Sequence, residues 1–295
     1  MLNNKKQFNK GILLGIGAVL CFSVITTFGV KVYQSGVSPL GLLTFRSLVA
    51  GFLVFLTILI SKKISFRIEK KDWFRVFIHS FLLALFLILF WQGTKILTHI
   101  PTIYACYFTY PFWTMIIASI FLKEKFNKIK VVSLFLGIIG TFFALGFLPS
   151  LSLVNINLYG ISLILLCAVI WGGDLLIGQQ LFKKYHYLTI LFYNFLISLI
   201  IFALFQNPVE SFNEINLVAL PYMIAIAFIS TYLAWILFSN AIKCFGGVNW
   251  GLTNLLSPFA NGLVAFLVLG QVVSYYQAFG ITLSVCGVYI LYKNK

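Results

Sequence analysis

Residues 107–124, YFTYPFWTMIIASIFLKE, and residues 254–271, NLLSPFANGLVAFLVLGQ, align without a gap at a separation of 147 positions. The offset puts Pro111 on Pro258, Phe112 on Phe259, Tyr107 on Asn254, Thr114 on Asn261 and Glu124 on Gln271. Both stretches are apolar and carry an interior proline, whose missing N–H and ring interrupt a helix. Working outward, the same offset puts Gly140 on Gly287. An offset of 148 puts Phe45-Arg46 on Tyr193-Asn194 and Lys95 on Lys243, and 150 puts Ala18 on Ala168. So small a drift makes residues 1–148 and 149–295 two copies of one unit.

Composition says what the unit is. Of 295 residues, 61% are hydrophobic and 9% charged, against about a quarter charged in a soluble domain. About 180 apolar side chains suffice for roughly nine spans of ~20 residues. The apolar runs are continuous, unlike the alternating ~10-residue strands of an outer-membrane barrel. A soluble domain, a disordered chain and a water-exposed enzyme are thereby excluded. The runs predict an all-α integral membrane protein with ten transmembrane helices. They are Gly11–Val30, Pro39–Ile60, Trp73–Gly93, Ile100–Leu122, Val131–Leu148, Leu158–Gly178, Tyr187–Phe205, Leu217–Ile242, Val248–Gly270 and Tyr275–Tyr292. Five helices per copy is an odd number, so the second copy must enter the bilayer from the other side. The expectation is therefore two five-helix inverted-topology repeats, which enclose a site near the midplane and expose it alternately.

The net charge of +15 would suggest nucleic acid on a soluble surface, but here it lies between spans. Eighteen of the 21 lysines and arginines fall before the first span, after the last, or in alternate loops, counting Arg75 at the very start of the third span. The other side holds Lys31 and Lys95, and Arg46 lies inside a span. Because cytoplasmic loops carry the positive excess, both termini are expected in the cytoplasm of an inner (plasma) membrane protein. Anionic lipid headgroups are the expected contact of the basic loops. The first apolar run is longer than a secretory h-region and no small-x-small cleavage site follows it, so it reads as a retained helix. The five cysteines contain no C-x-x-C and read as packing residues.

The chain also resembles a known family. The resemblance rests on ten spans in two halves, Phe45-Arg46 in the second span, Pro111 and Pro258 in the fourth and ninth, and Phe121-Leu122-Lys123-Glu124 leading to Gly140. Together these look like a member of the drug/metabolite transporter superfamily, in its EamA-like branch. The resemblance implies a bacterial exporter or exchanger of amino acids and similar metabolites. Gln271 departs from the family's habit of repeating the glutamate of the first half, which argues against a coupling role for that loop position.

An ionisable group inside the bilayer is a functional candidate, because it costs at least a few kcal/mol to place there. Arg46, about 10 Å into its span, could pair with a substrate carboxylate or serve as a structural arginine bonded to carbonyls. Asp174, in Trp171-Gly172-Gly173-Asp174, could bind an amino group or carry a coupling proton. A plainer reading has it reach headgroup water or Lys183. It lies roughly 14 Å deeper than Arg46 by helical rise, so no direct bridge between the two is expected. Tyr104, Tyr107, Pro111 and Thr114 form one helical stripe, and Trp250, Asn254, Pro258 and Asn261 another. Either these stripes line the substrate site, with Tyr107, Tyr110 and Trp171 around an apolar side chain, or they bond helix to helix. His79 reads as a structural histidine near a span end more readily than as a proton shuttle. His99 and His186 fall at loop edges, and Gly11-x-x-x-Gly15 fits close helix packing.

There is no H-E-x-x-H, no histidine cluster and no carboxylate pair within a span, so no metal or cofactor is expected and an enzyme is disfavoured. A channel lacks a filter motif. The remaining competitor is a carrier of a lipid-like or lipophilic cationic substrate, which the aromatic lining would also suit. The expected partners are a small molecule, the bilayer and a coupling proton, in a monomer or homodimer.

Overall fold

A computed structural model describes residues 2–97, 103, 106–123, 127–144, 157–269 and 274–293. Helices occupy every expected stretch: α1 (Leu2–Gln34), α2 (Pro39–Ser61), α3 (Trp73–Ile96), α4 (Tyr110–Phe121), α5 (Lys128–Ala144), α6 (Leu158–Lys184) and α7 (Tyr187–Phe205). After the short helix Pro208–Asn213 come α8 (Leu220–Phe245), α9 (residues 247–269) and α10 (Tyr275–Lys293). Among the described residues there is no strand. Among the described residues seven helices, α1 to α3 and α6 to α9, are long and apolar enough to cross a membrane, and α4 is a shorter apolar helix. Tyr104, Glu124, Gln271, His99, Gly270 and the expected boundary at 148/149 lie outside the described residues.

Helix starts follow local chemistry. Ser38 Oγ accepts the Gly41 N–H at 3.0 Å with Pro39 in the first turn of α2, where the missing proline N–H is no loss. Asn157 Oδ1 caps α6 through the Gly160 N–H at 3.0 Å. Between α8 and α9, Gly246 takes φ +89°, a left-handed value that costs a residue without Cβ nothing.

The molecule is apolar outside and polar within. Leu13, Ile60, Phe74, Phe121 and Leu204 are exposed, while Ser80, Thr114, Asn194 and Ser239 are buried. Water would invert that pattern, but in lipid the polar groups must find partners inside the protein.

The packing repeats with the sequence. α3 packs on α6 as α8 packs on α1, α4 on α6 as α9 on α1, and α3 on α7 as α8 on α2. α5 and α10 pack on each other, and their contact is reciprocal. A Cβ on Gly140 would lie 2.6 Å from Gly280 O and 2.5 Å from Ser284 Oγ. One on Gly287 would lie 2.9 Å from Ser133 O and 3.2 Å from Gly137 N. The 147-residue offset converts each contact into the other, and the order of the residues makes the two helices antiparallel. The halves are thus related by a pseudo-twofold axis through this contact.

Candidate functional site

Both sequence prolines sit at breaks. A helical turn at residues 106–107 gives way to a turn at Phe108-Thr109, and α4 restarts with Pro111 at its second position. In α9 the segment Gly247–Thr253 ends in a 3-10 turn, Asn254–Leu256, and Ser257–Leu269 restarts with Pro258 second. Proline cannot donate to the carbonyl four residues back, so Tyr107 and Asn254 lose that partner. The Ser257 N–H bonds Asn254 O instead. Pro111 and Pro258 are buried, and the phenylalanine after each is exposed.

Small residues bring these breaks together. A Cβ on Gly251 of α9 would lie 3.2 Å from Pro111 Cβ. One on Gly172 of α6 would lie 3.0 Å from Thr114 N and 3.1 Å from Tyr110 O. Gln179, two turns further along α6, accepts the Gly247 N–H at 2.6 Å and so holds the first segment of α9 against α6. The three-way junction brings Tyr110 beside Trp171 and Gly251, with Trp250 joined to Trp171 through Phe238.

The rings form a continuous cluster. Tyr107 lies 5.3 Å from Tyr110, and Tyr110 6.4 Å from Trp171. Trp171 in turn lies 5.2 Å from Phe86 and 5.9 Å from Phe238, and Phe238 4.8 Å from Trp250. Trp235 meets Phe238 at 5.0 Å. The Tyr110 hydroxyl faces Asn254 and the Trp171 indole, but no contact there reaches full hydrogen-bond geometry. Tyr110 Oη, Trp171 Nε1 and Trp250 Nε1, all buried, have no hydrogen-bond partner among the described residues. Buried polar groups are normally bonded, so such a cluster points to an acceptor supplied from outside.

One turn along α6 from Trp171, Asp174 is buried and its Oδ1 lies 2.6 Å from His79 Nδ1 on α3. Lys183 is exposed and is not its partner, so the plainer reading of Asp174 as a headgroup carboxylate gives way. His79, in the second turn of α3, is 2% exposed. It is not alone. Gly178 makes room for its ring, since a Cβ there would lie 2.9 Å from His79 Cε1.

Arg46 is buried at the opposite end of the bundle, where its electrostatic neighbour is Tyr33 at the end of α1. Its Nε has no partner among the described residues, and no contact joins it to Asp174, as the depth difference implied. In the second half its counterpart Asn194 accepts from Ser80 Oγ at 2.7 Å, a plain bond between α7 and α3. Asn261 is half-buried, two turns beyond Asn254. The structure thus gathers Tyr107, Tyr110, Trp171 and Asn254 at the breaks, with Asp174 one turn away, and leaves Arg46 apart. Phe86, Trp235, Phe238 and Gln179 are the participants that sequence reasoning missed, and His79, read there as structural, is the partner of Asp174. The spacing of Trp235 and Phe238, i and i+3 on α8, was the available signal.

Polar latches close both ends. At the basic end Lys184 Nζ bridges Glu69 at 2.9 Å and Asp72, and Tyr185 Oη donates to Asp72 at 2.5 Å. Hydrogen bonds from Lys184 and Lys71 hold the Glu69 carboxyl below the usual glutamate range. At the other end Glu214 accepts the Ser38 N–H and a Gln206 amide N–H, each at 2.8 Å. Among the described residues no three His, Cys, Asp or Glu side chains gather where a metal could sit.

The search of curated proteins finds no match. A solved crystal structure superposes with a TM-score of 0.77 at 17% identity, covering 96% of each chain. At that identity the likeness speaks for the fold alone. The model of the EamA-like transporter family matches twice, over residues 9–146 and 158–293. With nearly its whole length accounted for by that pair of matches, the chain belongs to the EamA-like transporter family, within the drug/metabolite transporter superfamily.

Proposed function

We propose that this multi-pass membrane transporter moves an amino acid or related zwitterion across the inner membrane by alternating access between its two inverted five-helix repeats. In this reading ten spans put both termini on one side, the lysine- and arginine-rich loops make that side the cytoplasm, and residues 1–148 and 149–295 are the rocking halves. The observation that carries the reading is a set of buried donors without a partner among the described residues, Tyr110 Oη facing Asn254 and the Trp171 indole, Trp171 Nε1 itself, and Trp250 Nε1 one helical turn before Asn254. A carboxylate supplies the acceptors they lack. The substrate's side chain lies among Tyr107, Tyr110 and Trp171, with its amino group toward Asp174. Arg46 and Asn261, nearer the outer end, meet the carboxylate on its way through, and Asp174 carries the coupling proton. The protein acts as a monomer or homodimer and needs no cofactor.

The ring cluster supports a second reading, a lipophilic cationic substrate, because aromatic faces attract organic cations. A thermal-shift screen of the purified protein ranks the two, since a ligand of the native state raises the melting temperature. The leading amino acid is then tested in proteoliposomes. Exchange of labelled amino acid, and its loss of dependence on an imposed pH gradient in Asp174→Asn, is the expected result. Stabilisation by organic cations alone would replace this reading with the second.

A further inference from the structure

We propose that His79 and Asp174 form a single proton-binding dyad, and that the proton enters and leaves it through His79 Nε2. The argument starts from burial. The carboxylate of Asp174 and the ring of His79 meet at 2.6 Å with side chains 1% and 3% exposed. His79 is the electrostatic partner that Asp174 has among the described residues. From α6, uncharged Gly178 and Phe182 face the ring. From α7, Asn194 meets Ser80, the neighbour of His79. Lys184 is engaged with Glu69 and Asp72, and Arg75, one turn before His79 on α3, lies 3.7 Å from Asp72.

With the Nδ1–H donated to the carboxylate, the pair carries one net negative charge in apolar surroundings. That is costly in a buried place. Taking up one proton makes the pair neutral overall, as an imidazolium facing a carboxylate. The lone pair available for that proton is on Nε2, which is buried and has no partner among the described residues. The proton comes from solvent, forms the Nε2–H bond, and leaves by breaking the same bond. No other bond changes. Nε2 lies beside Gly178, one turn from Asp174 toward the basic end, so exchange is directed to that side, while Trp171 links Asp174 to the ring cluster on the other. The dyad also joins α3 to α6, so its charge state acts on the packing of two helices. Its service as the coupling site rests on the transport reading. Its proton binding does not.

The chain has three histidines, so protein labelled with 15N-histidine gives an assignable spectrum in micelles. Titration from about pH 5 to 9 should change the His79 signals of the native protein. In Asp174→Asn the midpoint should differ from the native one, because the carboxylate that Nδ1 meets has been removed. Proton uptake after a pH jump should fall in both His79→Gln and Asp174→Asn, and in the double variant by less than the two single losses added together. His79 signals constant across the range in the native protein would overturn the dyad even if neither variant folds. So would an unmoved midpoint, or single losses that add. Constant His79 signals with intact amino-acid exchange remove the dyad and leave the transporter standing. A titrating dyad without flux does the reverse.

Discussion

Arg46 and Asp174 are intramembrane charges with different surroundings. Asp174 has a neighbour that can neutralise it, 95 positions away in sequence, which no local pattern announces. Arg46 has Tyr33 and a repeat mate, Asn194, that is neutral and bonded between helices. If Arg46 meets the substrate carboxylate, Arg46→Lys, which keeps the charge and loses the planar fork, raises the half-saturation concentration of amino-acid exchange about tenfold, equivalent to ~1.4 kcal/mol. An unchanged value assigns the arginine to packing. Gly172 is the residue on which the junction turns. Gly172→Ala forces α6 away from the backbone of α4 and should cost about 1 to 3 kcal/mol, measured as unfolding in micelles.

Among the elements, the paired breaks in α4 and α9 were legible because a proline's effect is local, exerted on its own preceding turn. Their meeting was not legible, since it depends on Gly251 and Gly172 letting three helices approach. Pro258→Ala restores a donor for Asn254 O and favours a continuous α9. The expected outcome is an equal or higher melting temperature with exchange reduced about tenfold. Retained exchange would show that the break is not used in transport. A third irregularity, the π-helical stretch Ile226–Leu233 in α8, left no mark in the sequence. It is where Ser230 Oγ donates to Cys21 O of α1 at 2.8 Å. The corresponding part of α3 is regular, so the repeats are not equivalent in helix geometry.

Across the whole molecule, a latch ties the helices together at each end. Glu69 has its pKa depressed, so its contribution is present above the ordinary glutamate range and lost as pH falls through the lowered value. Glu69→Gln should therefore lower the melting temperature at pH 7, by no more than about 2 °C for so exposed a pair. The gap should close below about pH 4, and thermal scans at the two pH values decide it. The sequence alone determined the helical class, the repeat and the positions of the breaks. Apolar run length, a constant offset and a missing N–H are properties of the chain that act over a few turns or survive duplication. Only the tertiary structure decided that Asp174 belongs with His79 and not with Lys183, and that the ring cluster excludes Arg46. Those outcomes depend on which faces of distant helices meet, and the small residues that set the meeting carry no charge or motif of their own.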